Sequence, residues 1–397
     1  MMKKIISVLL CIVMVFSMTA VFASANRDTK LRFNKDGKFK ILQMADLQDD
    51  EFLSGLAKDF IKKAVKEEKP DLVVLTGDNT AGYACKVGIK AIDDALSKQA
   101  INQYMSILNE AGVPVAMVFG NHDDDDTKTT KEDLMAMYQK YDCFIGYDAE
   151  PELYGCGTYN VPIYASNGSD KINFNLWMFD SNTYDEEHGG YDYVHPDQIA
   201  WYEKTEAELT RANGGTPVPS MLFQHIIVDE IWECIEPCNA DDEGAWDFGG
   251  SLGYQRIKPD LYKAGNFKEW PCPGTVSSLQ FESMKEHGNV LGMFFGHDHN
   301  NSFELTYQGI DIVATPGFTC QSYSNEDRGF RVIELDEKDL STYETHTIHW
   351  QDYYSNSKLA MYHYNMNATE LGWWQQFLNG FMYVVLFPIK ALFGYAF

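Results

Sequence analysis

The sequence predicts a one-domain α/β protein with two packed β-sheets and helices outside each. Three observations predict it. Apolar runs of strand length recur along the chain, and helical apolar spacing fills the gaps between the early ones. The first two core strands flank a helix as a βαβ unit, which places both in one parallel layer. Five of the strands stop at oxygen- or nitrogen-bearing side chains, as sheets with helical crossovers do when they build a ligand site along one edge. The 397 residues suffice for one large domain, and 45% apolar and 14% aromatic content support a sizeable core.

Residues 1–25 read as a targeting segment. Lys3-Lys4 form a positive region, Ile5 to Val21 an apolar one, and Ala23-Ser24-Ala25 a small-residue cleavage site. Export, to the medium or the cell surface, is the expectation. Cleavage after Ala25 removes two Lys and no acid, moving the net charge from −26 to −28. Nucleic-acid polymers and acidic membranes are poor partners for such a chain; the acidity reads first as solubility. Seven Cys remain, and export permits disulfides. Cys143 with Cys156, and a pair among Cys234, Cys238 and Cys272, are expected, with at least one Cys left over.

Residues 26–365 form the expected domain. Asn26 to Lys38 begins an edge strand. Phe39 to Ala45 is the first core strand and ends in Asp46-Leu47-Gln48. Leu56 to Glu68 has helical spacing, with Phe60, Ile61, Ala64 and Val65 on one face. Asp71 to Thr76 is a strand ending in Gly77-Asp78-Asn79. Ile89 to Ala111 is helical, closed by Gly112, and feeds the strand Val113 to Phe119. That strand ends in Gly120-Asn121-His122-Asp123, and an acidic run, Asp124 to Asp126, follows as a solvated loop. Thr158 to Val161 and Ile172 to Asp180 are strand-like, and Pro196 to Arg211 is a helix. Pro219 to Phe223 ends in Gln224-His225, and Asn289 to Phe295 ends in Gly296-His297-Asp298-His299. Residues 229–275 show little periodicity and read as a long insertion over the site. Phe303 to Thr315 is a hairpin around Gln308-Gly309, and Phe330 to Leu335 is the last core strand.

Residues 366–397 form an apolar tail. Trp373, Trp374 and Phe377 precede an apolar run from Phe381 to Phe397, broken by Pro388 and Lys390. The run falls short of the roughly 20 residues of a transmembrane helix. Two readings stand: membrane contact through the tail, or a helix docked on the body.

The strand ends carry the chemistry. A neutral amide oxygen such as that of Asn121 suits a hard or borderline metal, and His122 can exchange a proton near neutral pH. Asp123 is placed to orient that imidazole. Taken singly, His225 or Asp46 would be ordinary core or turn residues. Five blocks in one order are another matter. His188, His195, His287, His346, His349 and His363 lack a strand end and read as surface or loop residues.

The order of the blocks resembles the calcineurin-like metallophosphoesterase superfamily, over roughly residues 38 to 340. Two further stretches, Pro196 to Tyr202 and Arg328 to Leu335, resemble its single-domain, purple-acid-phosphatase-like branch. The resemblance implies a four-layer αββα sandwich of two mixed sheets flanked by helices. It implies a phosphohydrolase acting on a small phosphoester through a hydroxide bridging two divalent metal ions, Mn, Fe, Zn or Ni. Asp46, Asp78 and His299 would hold the first ion, with Gln48 in the place of the family's His. Asp78, Asn121, His225 and His297 would hold the second. His122 would be the acid, oriented by Asp123. No Tyr follows Asp78 in the position that colours purple acid phosphatases. The substituted Gln48 supports a contrasting expectation, a surface-associated binding protein with a degenerate site.

Overall fold

Alternate residues of the first core strand, β2 (Lys38–Met44), feed two different cores. Phe39 and Ile41 point into the space between two sheets, whereas Leu42 and Met44 point out beneath helices. This is the period-2 geometry of a strand covered on both faces. The structure, a computed structural model, describes residues 30–393, with side chains as far as Ile389. The proposed targeting segment lies outside the described residues.

The remaining strands are β1 Leu31–Arg32, β3 Leu72–Thr76, β4 Val115–Val118, β5 Tyr159–Tyr164, β6 Ile172–Met178, β7 Ser220–Phe223, β8 Ile235–Pro237, β9 Trp246–Asp247, β10 Tyr254–Ile257, β11 Tyr262–Ala264, β12 Val290–Phe295, β13 Glu304–Tyr307, β14 Ile310–Ala314, β15 Gly329–Asp336 and β16 Asp339–His349. The helices are α1 Gly55–Glu68, α2 Lys90–Ala111, α3 Lys131–Tyr138, α4 Pro196–Ala212, α5 Gln280–His287, α6 Trp350–Tyr354, α7 Lys358–Tyr364 and α8 Trp373–Phe393.

A five-stranded sheet runs β16-β15-β2-β3-β4, and an eight-stranded sheet runs β1-β5-β6-β7-β12-β14-β13-β11. Both are mixed. The pairs β2–β3, β3–β4, β6–β7, β7–β12 and β12–β14 are parallel, and β2–β15, β15–β16 and β13–β14 are antiparallel. The inner faces meet through Ile41, Val74, Val118, Leu176, Phe223, Phe294 and Ile333. Outside the smaller sheet, α1 brings Phe60 and Ile61 and α2 brings Ile101 and Leu108 onto Leu42, Val73 and Met117. Outside the larger one, α4 brings Trp201 and Tyr202 and α5 brings Phe281 and Met284 onto Trp177, Leu222 and Met293. The result is the expected αββα sandwich.

Local signals placed most elements. Ser54 caps α1 by accepting from the Ala57 amide, and Gly112 (φ 68°) closes α2. Gln308 (φ 47°) and Gly309 (φ 91°) make the two-residue turn between β13 and β14. Phe330 to Leu335 lies within β15, a buried strand as expected, and beyond it the chain adds an edge strand, β16, whose half-exposed, alternating pattern gave no buried run to read. Two expectations need correction. Residues 229–275 are not irregular: they hold a separate sheet, β8-β10-β9, and β11 at the edge of the large sheet. No disulfide forms among the described residues. Cys143, Cys156, Cys234, Cys238 and Cys272 are all free thiols, the Cys143 amide being held by Asn109 and that of Cys156 by Asp180.

Candidate metal centre

The parallel strands β2, β3 and β4 end side by side, and β7 and β12 end opposite them. The loops that follow are stitched together. The Gln48 amide donates to Asp78 O (2.7 Å), and the Gly296 amide donates to His225 O (3.1 Å). The His297 amide donates to Asp46 Oδ2 (3.1 Å) and so joins the two sheets. Packing is close enough to require glycine twice. A Cβ at Gly77 (φ 85°) would stand 2.4 Å from His225 Nδ1, and one at Gly120 would stand 2.2 Å from Asp78 Oδ1. Nine non-glycine residues among those described have left-handed backbone. Four of them are Asp46, Gln48, Asp78 and His297, so the strain gathers at the predicted ligands.

The side chains converge on one point. His225 Nε2 lies 3.1 Å from Asn121 Oδ1, 3.3 Å from His297 Nδ1 and 3.4 Å from Asp78 Oδ1. His299 Nε2 lies 3.4 Å from Asp46 Oδ1. Donor atoms of Asp46, Asp78 and His225, all buried, lie within 4.8 Å of one another. His225 Nδ1 donates to Thr76 O (2.9 Å), and His299 Nδ1 donates to Tyr323 O (2.7 Å). Each Nε2 is thereby left as the ligating nitrogen, the usual backing of a metal-bound imidazole. Gln48 Oε1 and His297 Nε2 are buried with no hydrogen-bond partner in the protein. Buried orphan acceptors are costly, and a cation would satisfy both. The residues present therefore fit divalent metal.

Electrostatics agree. Burial opposes ionisation of Asp78, yet the charges and hydrogen bonds of His225 and His122 together outweigh it and hold this carboxyl well below the usual range. Burial likewise opposes the imidazolium of His225 and His299, but Asp78 and Asp46 respectively outweigh it and hold both at about 9. Burial, then the charge of His225, pushes His297 well down.

All nine predicted site residues gather at this edge, but Asp123 does not do what its spacing implied. Its carboxylate is buried and accepts from the amides of Gly120 (2.8 Å), Thr80 (2.9 Å) and Asn79 (3.0 Å). Burial, then the Asp78 charge, raises its pKa to about 7. The group on His122 is Asp125, with Oδ2 2.9 Å from His122 Nδ1. Asp125 belongs to the acidic run read as a solvated loop, and nothing in its spacing marks it.

Other supports come from far along the chain. Tyr184 OH accepts from Asn121 Nδ2 (3.2 Å). Tyr191 packs edge-on to His297, Tyr83 edge-on to His122, and Tyr323 stacks on His299 while bonding Glu269 through its hydroxyl. Tyr184 and Tyr191 come from the 182–195 loop, and Glu269 from the insertion; both segments line the site. The other His residues stay away. His188 pairs with Asp185 and His195 with Asp192, while His363, expected as a surface or loop residue, is buried in a helix against Ser54 Oγ (2.8 Å).

Known proteins are similar to this chain over most of its length. Probable inactive purple acid phosphatase 14 of Arabidopsis thaliana is 27% identical over 340 residues, covering 77% of each chain. Probable inactive purple acid phosphatase 28 of the same plant is 28% identical over 338 residues, again 77% of each. A solved dimetal phosphatase from Danio rerio superposes with a TM-score of 0.45 at 16% identity, over 79% of this chain and 99% of that one. The profile of the calcineurin-like phosphoesterases matches residues 39–301, most of the chain and every predicted ligand. On that match the chain belongs to the calcineurin-like phosphoesterase family.

Proposed function

We propose that this chain is an exported, metal-dependent phosphohydrolase acting on small phosphoesters. The observation that carries the proposal is the convergence around His225 Nε2, together with the buried, unpartnered Gln48 Oε1 and His297 Nε2. Asp46, Gln48, Asp78 and His299 would hold one divalent ion, and Asp78, Asn121, His225 and His297 the other. When bound, such ions offset phosphate charge and make a nucleophile from water at neutral pH.

The chain's own residues do the rest. Asp125 engages His122 Nδ1, so His122 presents Nε2. From Nε2 the ring gives its proton to the leaving alkoxide. Tyr184 holds the amide nitrogen of Asn121, which turns Oδ1 toward His225. Tyr83 and Tyr191 wall the approach and limit water around the phosphoryl group.

One observation favours a second reading. Gln48 offers a neutral amide where the family has imidazole, and relatives named probable inactive are similar in sequence over most of the chain. A binding protein with a weakened first site follows from that. Metal content of the purified protein and turnover of an aryl phosphate with added Mn decide between them. Two ions with turnover support the hydrolase, and no turnover at full metal occupancy supports the binder. Export rests on the pattern of residues 1–25, and a secreted form beginning at Asn26 is its test.

A further inference from the structure

The last described helix has two apolar faces, and only one of them is covered. On the inner face of α8, Tyr383 packs on His363 with ring centres 4.7 Å apart, and Leu386 joins the core outside the smaller sheet. Asn379 Nδ2 donates to Asn365 O (3.0 Å) and Gln376 Nε2 to Ala368 O (2.8 Å). The helix is thus fixed along the body by packing and by hydrogen bonds. The outer face carries Trp373 (74% exposed), Phe377 (56%), Phe381 (56%) and Val384 (67%). Their spacing of four, four and three residues makes one stripe. Trp374, Val385 and Phe387 widen it. Beside Met366 the stripe deepens into an open groove of about 480 Å³.

Such a patch marks an interaction site, because soluble surfaces seldom expose contiguous large apolar side chains. Composition says what covers it. Residues 371–397 contain no acidic residue and a single basic one, Lys390, in a chain with 58 acidic residues. Among the described residues no helix is long and apolar enough to cross a membrane. A docked helix with an outward apolar stripe and a Trp pair at one end suits the headgroup boundary, where aromatic residues collect.

We infer that α8 docks the protein flat on a lipid bilayer, its outer stripe seated among uncharged headgroups. Apolar burial drives the contact. The helix has no basic stripe to seek anionic lipid, and the net charge of −26 is repelled by it. The helix stays on the body while bound, so the protein rests on the surface and does not span it.

Flotation with phosphatidylcholine vesicles tests this, comparing the full chain with the variant Phe377→Gln/Phe381→Gln/Val384→Gln. The changes are on exposed positions and keep helix-forming residues. Both proteins keep the same N-terminus, so the apolar segment near residue 10 cannot explain a difference between them. The full chain is expected to float equally in low and high salt, with the variant reduced about tenfold or more and its thermal unfolding unchanged. Failure of the full chain to float overturns the inference, as does equal flotation of the variant. Binding that needs anionic lipid and disappears in high salt also overturns it. A full-length dimer that the variant dissociates, with neither form floating, would assign the stripe to a second copy of the chain instead.

Discussion

His122 Nδ1 lies 2.9 Å from Asp125 Oδ2, three residues along the chain, while the adjacent Asp123 turns inward to three backbone amides. Orientation of the proposed acid therefore belongs to Asp125. His122→Ala is expected to lower turnover about 10²–10⁴-fold. Asp125→Ala is expected to lower it about 10–100-fold, the usual effect of losing the group behind a working imidazole. Both should keep their metal, and both losses should shrink for substrates with good leaving groups, which need little protonation. Kinetics with a pair of aryl and alkyl phosphates, at matched metal content, check this. Equal losses on both substrates would make His122 a phosphate-binding group.

Asp123 should matter to folding more than to proton transfer. Asp123→Ala leaves the amides of Gly120, Asn79 and Thr80 without an acceptor in a buried place. Each such loss costs about 1–3 kcal/mol, so a total drop of roughly 3 kcal/mol or more is expected. Asp123→Asn retains one acceptor oxygen and should fall between the variant and the parent. Denaturant midpoints read the effect. A parent-like midpoint with slowed turnover would return Asp123 to the role that its position beside His122 implied.

Gln48 carries the one substitution in the ligand order. Its Oε1 is buried and unpartnered, so it is placed to meet a cation, but an amide is a poorer donor than imidazole. The ion beside Asp46 and His299 should therefore exchange faster than the one beside His225. Activity of protein purified without added metal should rise with Mn, and Gln48→His should tighten the weaker site. Metal titration checks both. Equal retention of two ions by the parent and by Gln48→His would mean that another group completes the site.

Metal uptake should depend on pH with a defined sign. In the metal-free protein His225 and His299 are held at about 9, because Asp78 and Asp46 outweigh the effect of burial. A metal takes the neutral imidazole, so below about pH 9 each ring must lose a proton on binding. Affinity should fall as pH falls, by up to about tenfold per unit for each ring. Titrations near pH 6, 7 and 8, with proton release followed in weak buffer, check this. Affinity independent of pH, with no protons released, would remove these two rings from the ligand set.

The αββα layering and the site edge were legible because their signals are local. A strand end such as Val118-Phe119-Gly120-Asn121-His122 carries its apolar run, its turn and its donors within a few residues. The same holds for Gln308-Gly309 and for the cap at Ser54. The edge strand β16 and the small sheet β8-β10-β9 were not legible, because half-exposed strands take their identity from the partner they pair with.

By itself the sequence determined which donors exist and the order in which strands deliver them: Asp46, Asp78, Asn121, His225, His297 and His299. Only the tertiary structure decided which groups meet. His225 donates to Thr76 O across 149 residues, and Tyr323 O accepts from His299 while its hydroxyl reaches Glu269. Asp125 faces His122 and Asp123 does not, although both lie in one acidic run. The free thiols and the split of α8 into a covered and an open face were settled in the same way. The physical reason is common to all of them. Periodicity and turn chemistry act between neighbours in the chain, whereas hydrogen-bond partners and buried charges are chosen by whatever the packed layers bring within about 3 Å.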